Sequence, residues 1–158
     1  MTASRPQHEF YTLLRKHAVP FVVIGGHAVQ FHGYVRNTED VDLVWMRSAE
    51  SEAKLAAALQ EANATWISDE RDPQTGLEKL IPVSLSYVRA NHLMMLCTDY
   101  GFVDLFDYIP GFPIADVGEV YRDSVLAGDI HYVSIDWLRK MKQAADRPKD
   151  RLDLEKLP

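Results

Sequence analysis

Residues 24–43 read IGGHAVQFHGYVRNTEDVDL, and the apolar residues Phe21 to Val23 lead into them. A short β-branched run ended by glycines reads as a buried strand. GHAVQFHGY (26–34) suits a short helix closed by Gly33, and DVDLVW (40–45) reads as a second strand. Side chains two apart on a strand share a face, so Asp40 and Asp42 project together while Val41 and Leu43 point into the core. Two carboxylates this close repel, and burying them unpaired is costly. The spacing calls for a positive partner, and a divalent metal such as Mg²⁺ prefers such hard oxygen ligands. The competing reading is a strand end whose acids simply face water.

The glycine pair Gly25-Gly26 stands at the strand-to-helix turn. Glycine lets the backbone approach a ligand closely, and a helix start offers unpaired N–H groups to a phosphate. A dinucleotide fingerprint is absent, because His27 and Gln30 occupy positions it needs as glycine, and no G-K-[ST] follows to make a P-loop.

Further along, FVDLFDY places Asp104 between Val103 and Leu105, repeating the acid-outward, apolar-inward pattern of the first pair. If the two strands are neighbours, three carboxylates meet on one face, enough for two metals that clamp a reacting phosphate. Asp107 falls on the opposite face by alternation, and Asp99 falls in the turn before the strand, so Asp104 ranks ahead of both. The tail from Arg139 to Arg151, RKMKQAADRPKDR, holds six Lys/Arg and two Asp in a chain of net charge −6. Lys142, Arg147, Lys149 and Arg151 there could face a polyanion, while Asp150 and Asp153 could pair with them. An overall acidic charge argues against a general duplex-DNA binder.

With 47% hydrophobic and 25% charged residues, the 158 residues make one ordinary globular domain. The single cysteine, Cys97, gives neither a disulfide framework nor a cysteine zinc site, and the six histidines lack metal-site spacing. No apolar run is long enough to span a membrane and MTASRPQHEF is not a signal peptide, so a cytoplasmic protein is expected. The remaining pattern predicts helices at 8–18 and 48–62, a strand at 64–68 and a loop at 69–76. It also predicts a hairpin around Asp99–Gly101, a short helix near GEVYRDS and a hairpin around Gly128-Asp129. Two closing helices follow, the first after Ser134 and the second opened by Pro148. Mixed strands and helices with hairpins indicate an α+β sheet with helices on one side. His27 and His32 read as packing or capping residues near the glycine turn, and Tyr87, Tyr100 and Tyr108 as core or rim aromatics.

GGHAVQFHGYVRNTEDVDL resembles the signature of the DNA polymerase β-like nucleotidyltransferase superfamily, a Gly-Gly or Gly-Ser followed some distance on by D-x-D. Its version is most similar to small bacterial members such as the aminoglycoside and lincosamide nucleotidyltransferases and the AbiEii-type toxins. The closing KMKQAADRPKDRLDLEKL resembles the C-terminal motif of the AbiEii-like group. The resemblance implies a nucleotidyltransferase fold, a mixed β-sheet with helices packed on one side and a short C-terminal helical extension. Within a single domain at 1–158, the core would cover about 1–115 and the hairpin and last helices about 116–158.

By the same resemblance, Asp40 and Asp42 would hold Mg²⁺, as two ions or with Mn²⁺ as substitute, and Asp104 would complete the site or serve as base. Gly25 and Gly26 would contact nucleotide phosphates, Arg36 and Thr38 would lie near the triphosphate, and Lys142, Arg147 and Asp150 match the tail motif. The implied reaction moves an NMP from an NTP, ATP first, to a hydroxyl on RNA, protein or a small molecule. The alternative is an inactive nucleotide-binding or partner-binding module on the same fold. Little chain follows Asp104 to shape an acceptor site, which a second copy in a homodimer or an antitoxin-like partner would then supply. The serine common after the first glycine is Gly26 here, leaving only backbone N–H at that position.

Overall fold

The computed structural model describes residues 5–38 and 40–158. Among them the chain runs α1 (Pro6–Lys16), β1 (Phe21–Ile24), α2 (Gly25–Phe31), β2 (Val41–Trp45) and α3 (Ala49–Glu61). Next come β3 (Thr65–Arg71), β4 (Glu78–Pro82), α4 (Leu85–Ala90), β5 (Leu93–Thr98) and β6 (Gly101–Phe106). The chain closes with α5 (Val117–Arg122), β7 (Val125–Ala127), β8 (Ile130–Tyr132), α6 (Ile135–Ala145) and α7 (Pro148–Lys156). No helix among the described residues is long and apolar enough to cross a membrane.

The strands form one mixed sheet in the order β4-β3-β5-β6-β2-β1-β8-β7. The β2–β6 and β1–β8 pairs are parallel and the other neighbours antiparallel. Chemistry at the helix starts explains several boundaries. Ser48 and Ser51 form a capping box on α3, the Ser134 side chain accepts from Trp137 N–H at α6, and Pro6 and Pro148 open α1 and α7.

Helices cover one face of the β5–β6 region. Met94, Leu96, Val103 and Leu105 are buried in one core with Phe10 and Leu14 of α1, Leu55 and Leu59 of α3, and Val88 of α4. The alternate residues Met95 and Phe102 are 64% and 58% exposed, so the other face is open there. The expected mixed sheet, helical cover on one side and C-terminal helices are therefore present.

One expectation changes, and one helix, α4, had no expectation. DERDPQTG, read as a loop, is partly strand: β3 continues to Arg71, and β4 pairs along it with a register shift between Ile67 and Arg71. β4 is an edge strand and both strands are mostly exposed, so polar residues are tolerated and mimic loop composition. α4 carries no readable periodicity because Val88 is its single buried residue; a cap from Ser84 to Tyr87 N–H starts it.

Candidate active site

The parallel pairing of β2 with β6 sets Asp42 directly beside Asp104. Their carboxyl groups meet at the sheet surface. Burial, then Asp104 and Asp40, push the Asp42 carboxyl up to about 7, with Lys142 partly opposing. Asp104 is raised as well, chiefly by burial. Asp40, expected on the strand with Asp42, lies one residue ahead of β2 and is exposed. Its charge nonetheless raises both other acids. The rivals are engaged elsewhere: Asp107 accepts from Arg47 at 2.7 Å and lies 2.8 Å from His92, and Asp99 accepts from Asn63 at 2.6 Å.

Among the described residues, no group of three His, Cys, Asp or Glu side chains closes on a metal position. The donor chemistry still fits a hard divalent cation. Two carboxylates share one register position with raised proton affinity, and a third acts on both. Mg²⁺ commonly takes one or two protein carboxylates and fills its remaining positions with water and phosphate oxygens.

The glycine pair does work the sequence did not reveal. Gly25 adopts φ +66°, and a Cβ there would overlap the Asp42 Oδ2 atom. A Cβ on Gly26 would stand 2.5 Å from Thr38 Oγ1. The glycines thus let Asp42 and the Thr38 loop pack onto the start of α2. Gly25→Ala is expected to cost at least about 1–2 kcal/mol from the left-handed backbone alone. Thermal denaturation should show a smaller loss when Asp42→Gly is also present, because the overlap is then gone.

Facing the acids is a cleft of about 520 Å³. Gly25, Gly26, Arg36, Thr38, Asp40, Asp42, Asp104, Lys142, Arg147 and Asp150 all line it, whereas Arg151, which could also have faced a polyanion, lies outside it and pairs with Asp146 at 2.7 Å. The cations are held by carboxylates. Lys142 Nζ lies 3.1 Å from Asp150 Oδ1 and 3.0 Å from Asp153 Oδ2. Arg36 donates from Nε and Nη2 to the two oxygens of Asp153 at 2.8 and 2.9 Å. Arg147 donates to Asp150 from Nε at 2.7 Å and from its backbone N–H at 3.1 Å. Burial would raise Asp150, but the hydrogen bonds from Arg147 and Lys142 outweigh it and hold the carboxyl below its usual range.

Lys149 also lines the cleft and has no ion-pair partner among the described residues. Asp153 was named from the sequence only as a partner for bases, yet it ties the Arg36 loop to α6 and α7. The signal was its spacing of three from Asp150, which puts both on one helix face. The Gln30 side chain donates to the Arg36 carbonyl and anchors the loop from its other side.

His27 and His32 stay out of the cleft. His32 Nε2 lies 2.7 Å from the Val133 carbonyl oxygen, and burial holds buried His27 below its ordinary pKa. Tyr87 stacks on Trp66, Tyr100 packs near Phe10, and Tyr108 meets Phe106 edge-on.

No family model and no curated protein sequence matches the chain. Among solved structures, it is similar to the antibiotic-resistance factor ANT(2'')-Ia, a nucleotidyltransferase, with TM-score 0.57 and 15% identity over 95% of this chain and 79% of that one. JHP933 from Helicobacter pylori aligns with TM-score 0.46 and 15% identity over 97% of this chain and 66% of that one. The first of these likenesses shows the fold: the chain has a nucleotidyltransferase fold.

Proposed function

We propose that this chain is a divalent-cation-dependent nucleotidyltransferase that moves an NMP from an NTP, ATP first, to a hydroxyl acceptor. The observation that carries the reading is the pairing of Asp42 with Asp104 at one register position, facing a cleft with a cationic wall. Asp42 and Asp104, with Asp40, would hold Mg²⁺ or Mn²⁺, which when bound neutralises charge on the phosphoryl oxygens. Gly25 and Gly26 would meet the triphosphate through their backbone N–H groups. Arg36, Lys142, Arg147 and Lys149 oppose its charge from the other wall, and Thr38 offers a hydroxyl between them.

In the transfer, the acceptor oxygen bonds to the α-phosphorus as the bond to the α,β-bridging oxygen breaks. Pyrophosphate leaves with that electron pair, and the hydroxyl proton passes to a carboxylate or water. Positioning and charge neutralisation are the chain's contribution. The likeness of the tail to the AbiEii-like group extends the reading to a toxin-like enzyme of the cytoplasm, with an antitoxin-like partner.

A nucleotide-binding module without catalysis is the second reading. It is favoured by the pairing of Arg36, Lys142 and Arg147 with Asp150 and Asp153, which leaves less free charge for a triphosphate. One experiment separates the two. With Mg²⁺, each α-labelled NTP and cell extract to supply the acceptor hydroxyl, the purified protein is expected to label an acceptor and release pyrophosphate, and Asp42→Ala to abolish both. Binding without release selects the module. Neither NTP binding nor a Mg²⁺-dependent response by calorimetry sinks both.

A further inference from the structure

On the side of Asp104 away from the cationic wall, the open sheet face carries a row of apolar side chains. Asp104 is paired with Asp42 on one side and with Met95 on the other. Thr65 of β3 pairs antiparallel with Cys97, two residues from Met95, and Ile67, two residues from Thr65 on the same face of β3, pairs with Leu80. Asp42, Asp104 and Met95 therefore form one row across β2, β6 and β5, and Ile67 and Leu80 continue the same face on β3 and β4. Met95, Ile67 and Leu80 are 64%, 53% and 58% exposed, and Phe102 beside them is 58% exposed. Three strand spacings separate β6, which carries Asp104, from β4, which carries Leu80, roughly 14 Å across the sheet.

We infer that this face docks the acceptor, and that the acceptor is a segment of protein presenting a serine, threonine or tyrosine hydroxyl; the inference rests on the nucleotidyltransferase reading. Shape gives the first reason. Met95, Phe102, Ile67 and Leu80 lie outside the cleft lining, and small-molecule sites are concave, whereas open apolar patches serve protein surfaces. Charge gives the second. The cleft's cations stand on the Arg36 loop and on α6 and α7, while β5 and β6, LMMLCT and GFVDLF, contain no Lys or Arg. A nucleic acid needs cations along its phosphates; it finds none on β5 and β6, and on β3 and β4 Arg71 and Lys79 are outnumbered by Asp69, Glu70 and Glu78. Exposed Asp69 and Glu70 on β3 and Glu78 on β4 leave the outer strands net acidic, so Lys or Arg near the acceptor hydroxyl complements the face.

The transfer forms a phosphodiester. The side-chain oxygen of the segment bonds to the α-phosphorus, pyrophosphate departs with the electrons of the broken bond, and the hydroxyl proton goes to water.

The test uses the full chain, Mg²⁺ and α-labelled NTPs with three probes. One is a peptide set with a central Ser, Thr or Tyr, apolar neighbours and Lys/Arg flanks. The second has the same centre with polar neighbours and Asp/Glu flanks, and the third is bulk tRNA. Label is expected at least tenfold faster in the basic–apolar set. Met95→Glu and Ile67→Glu are expected to cut that rate tenfold or more. Leu126→Glu, on β7 at the opposite edge of the sheet and 58% exposed, leaves it unchanged.

Equal labelling of both peptide sets, preferential labelling of tRNA, no labelling of any probe, or indifference to Met95→Glu overturns the inference. So does a wild-type dimer in sedimentation that Met95→Glu splits without slowing peptide labelling, since the face then belongs to a second copy. NTP calorimetry on the wild type reports the nucleotide half separately. If NTP does not bind, the nucleotidyltransferase reading falls, and titrating the two peptide sets against the protein decides the docking face alone.

Discussion

Asp42→Asn is expected to abolish nucleotidyl transfer and, in chelator at pH 8, to raise the thermal midpoint. In the unfolded chain this carboxyl titrates near 3.9, while burial and Asp104 push it up to about 7 in the folded one. Between those values the folded state binds a proton that the unfolded state has released. Stability therefore falls as pH rises through that window, and the penalty is complete above it. Three pKa units bound the cost at about 4 kcal/mol, and coupling to Asp104 puts the effect on the order of 2–4 kcal/mol. Asparagine keeps the shape and removes the charge. Melting curves of both proteins between pH 4 and pH 8 should diverge as pH rises and converge near pH 4. A variant less stable than the wild type at pH 8 would show that the carboxylate is not strained.

Asp153→Ala is expected to lose about 3–5 kcal/mol, the usual cost of stripping one partner from a buried ion pair. Asp153 is fully buried and receives both Arg36 and Lys142, whose side chain is 7% exposed. Asp150 can still serve Lys142, but Arg36 loses its bidentate partner, and with it the loop carrying Thr38 and Asp40 loses its tie to α7. Arg151→Ala is the control, because its pair with Asp146 is exposed on both sides and is worth less than about 1 kcal/mol. Denaturant unfolding of the two variants measures the contrast. Equal losses would mean that the buried network does not hold the C-terminal helices to the site.

Much of the architecture was legible because each element carried its own signal. The strand around Val22 and Val23, the Ser48 cap, the turn at Asp99–Gly101 and Pro148 at the last helix are local features, and local physics places them. The β3–β4 hairpin was hidden because edge strands bury little and need no apolar alternation. The chemical character of Asp42 and Asp104 was visible in the acid-between-apolar pattern, but their meeting depends on β2 choosing β6 as its parallel neighbour. The tail showed the same limit. Its positive charge was plain, while the pairing of Lys142 with two buried aspartates depends on how α7 folds back on α6.

What the amino-acid sequence determined by itself is the set of parts: a glycine-ended strand, a D-x-D strand, a third acid between apolar residues, and a basic tail spaced with aspartates. Residue type and period decide these, because capping, alternation and turn chemistry act over a few residues. Tertiary structure alone decided that Gly25 makes room for Asp42, that Asp153 joins the Arg36 loop to the last helices, and that one face beside Asp104 stays open. Each of those depends on groups far apart in the chain sharing a few ångströms of space, and spacing along the chain does not encode that proximity.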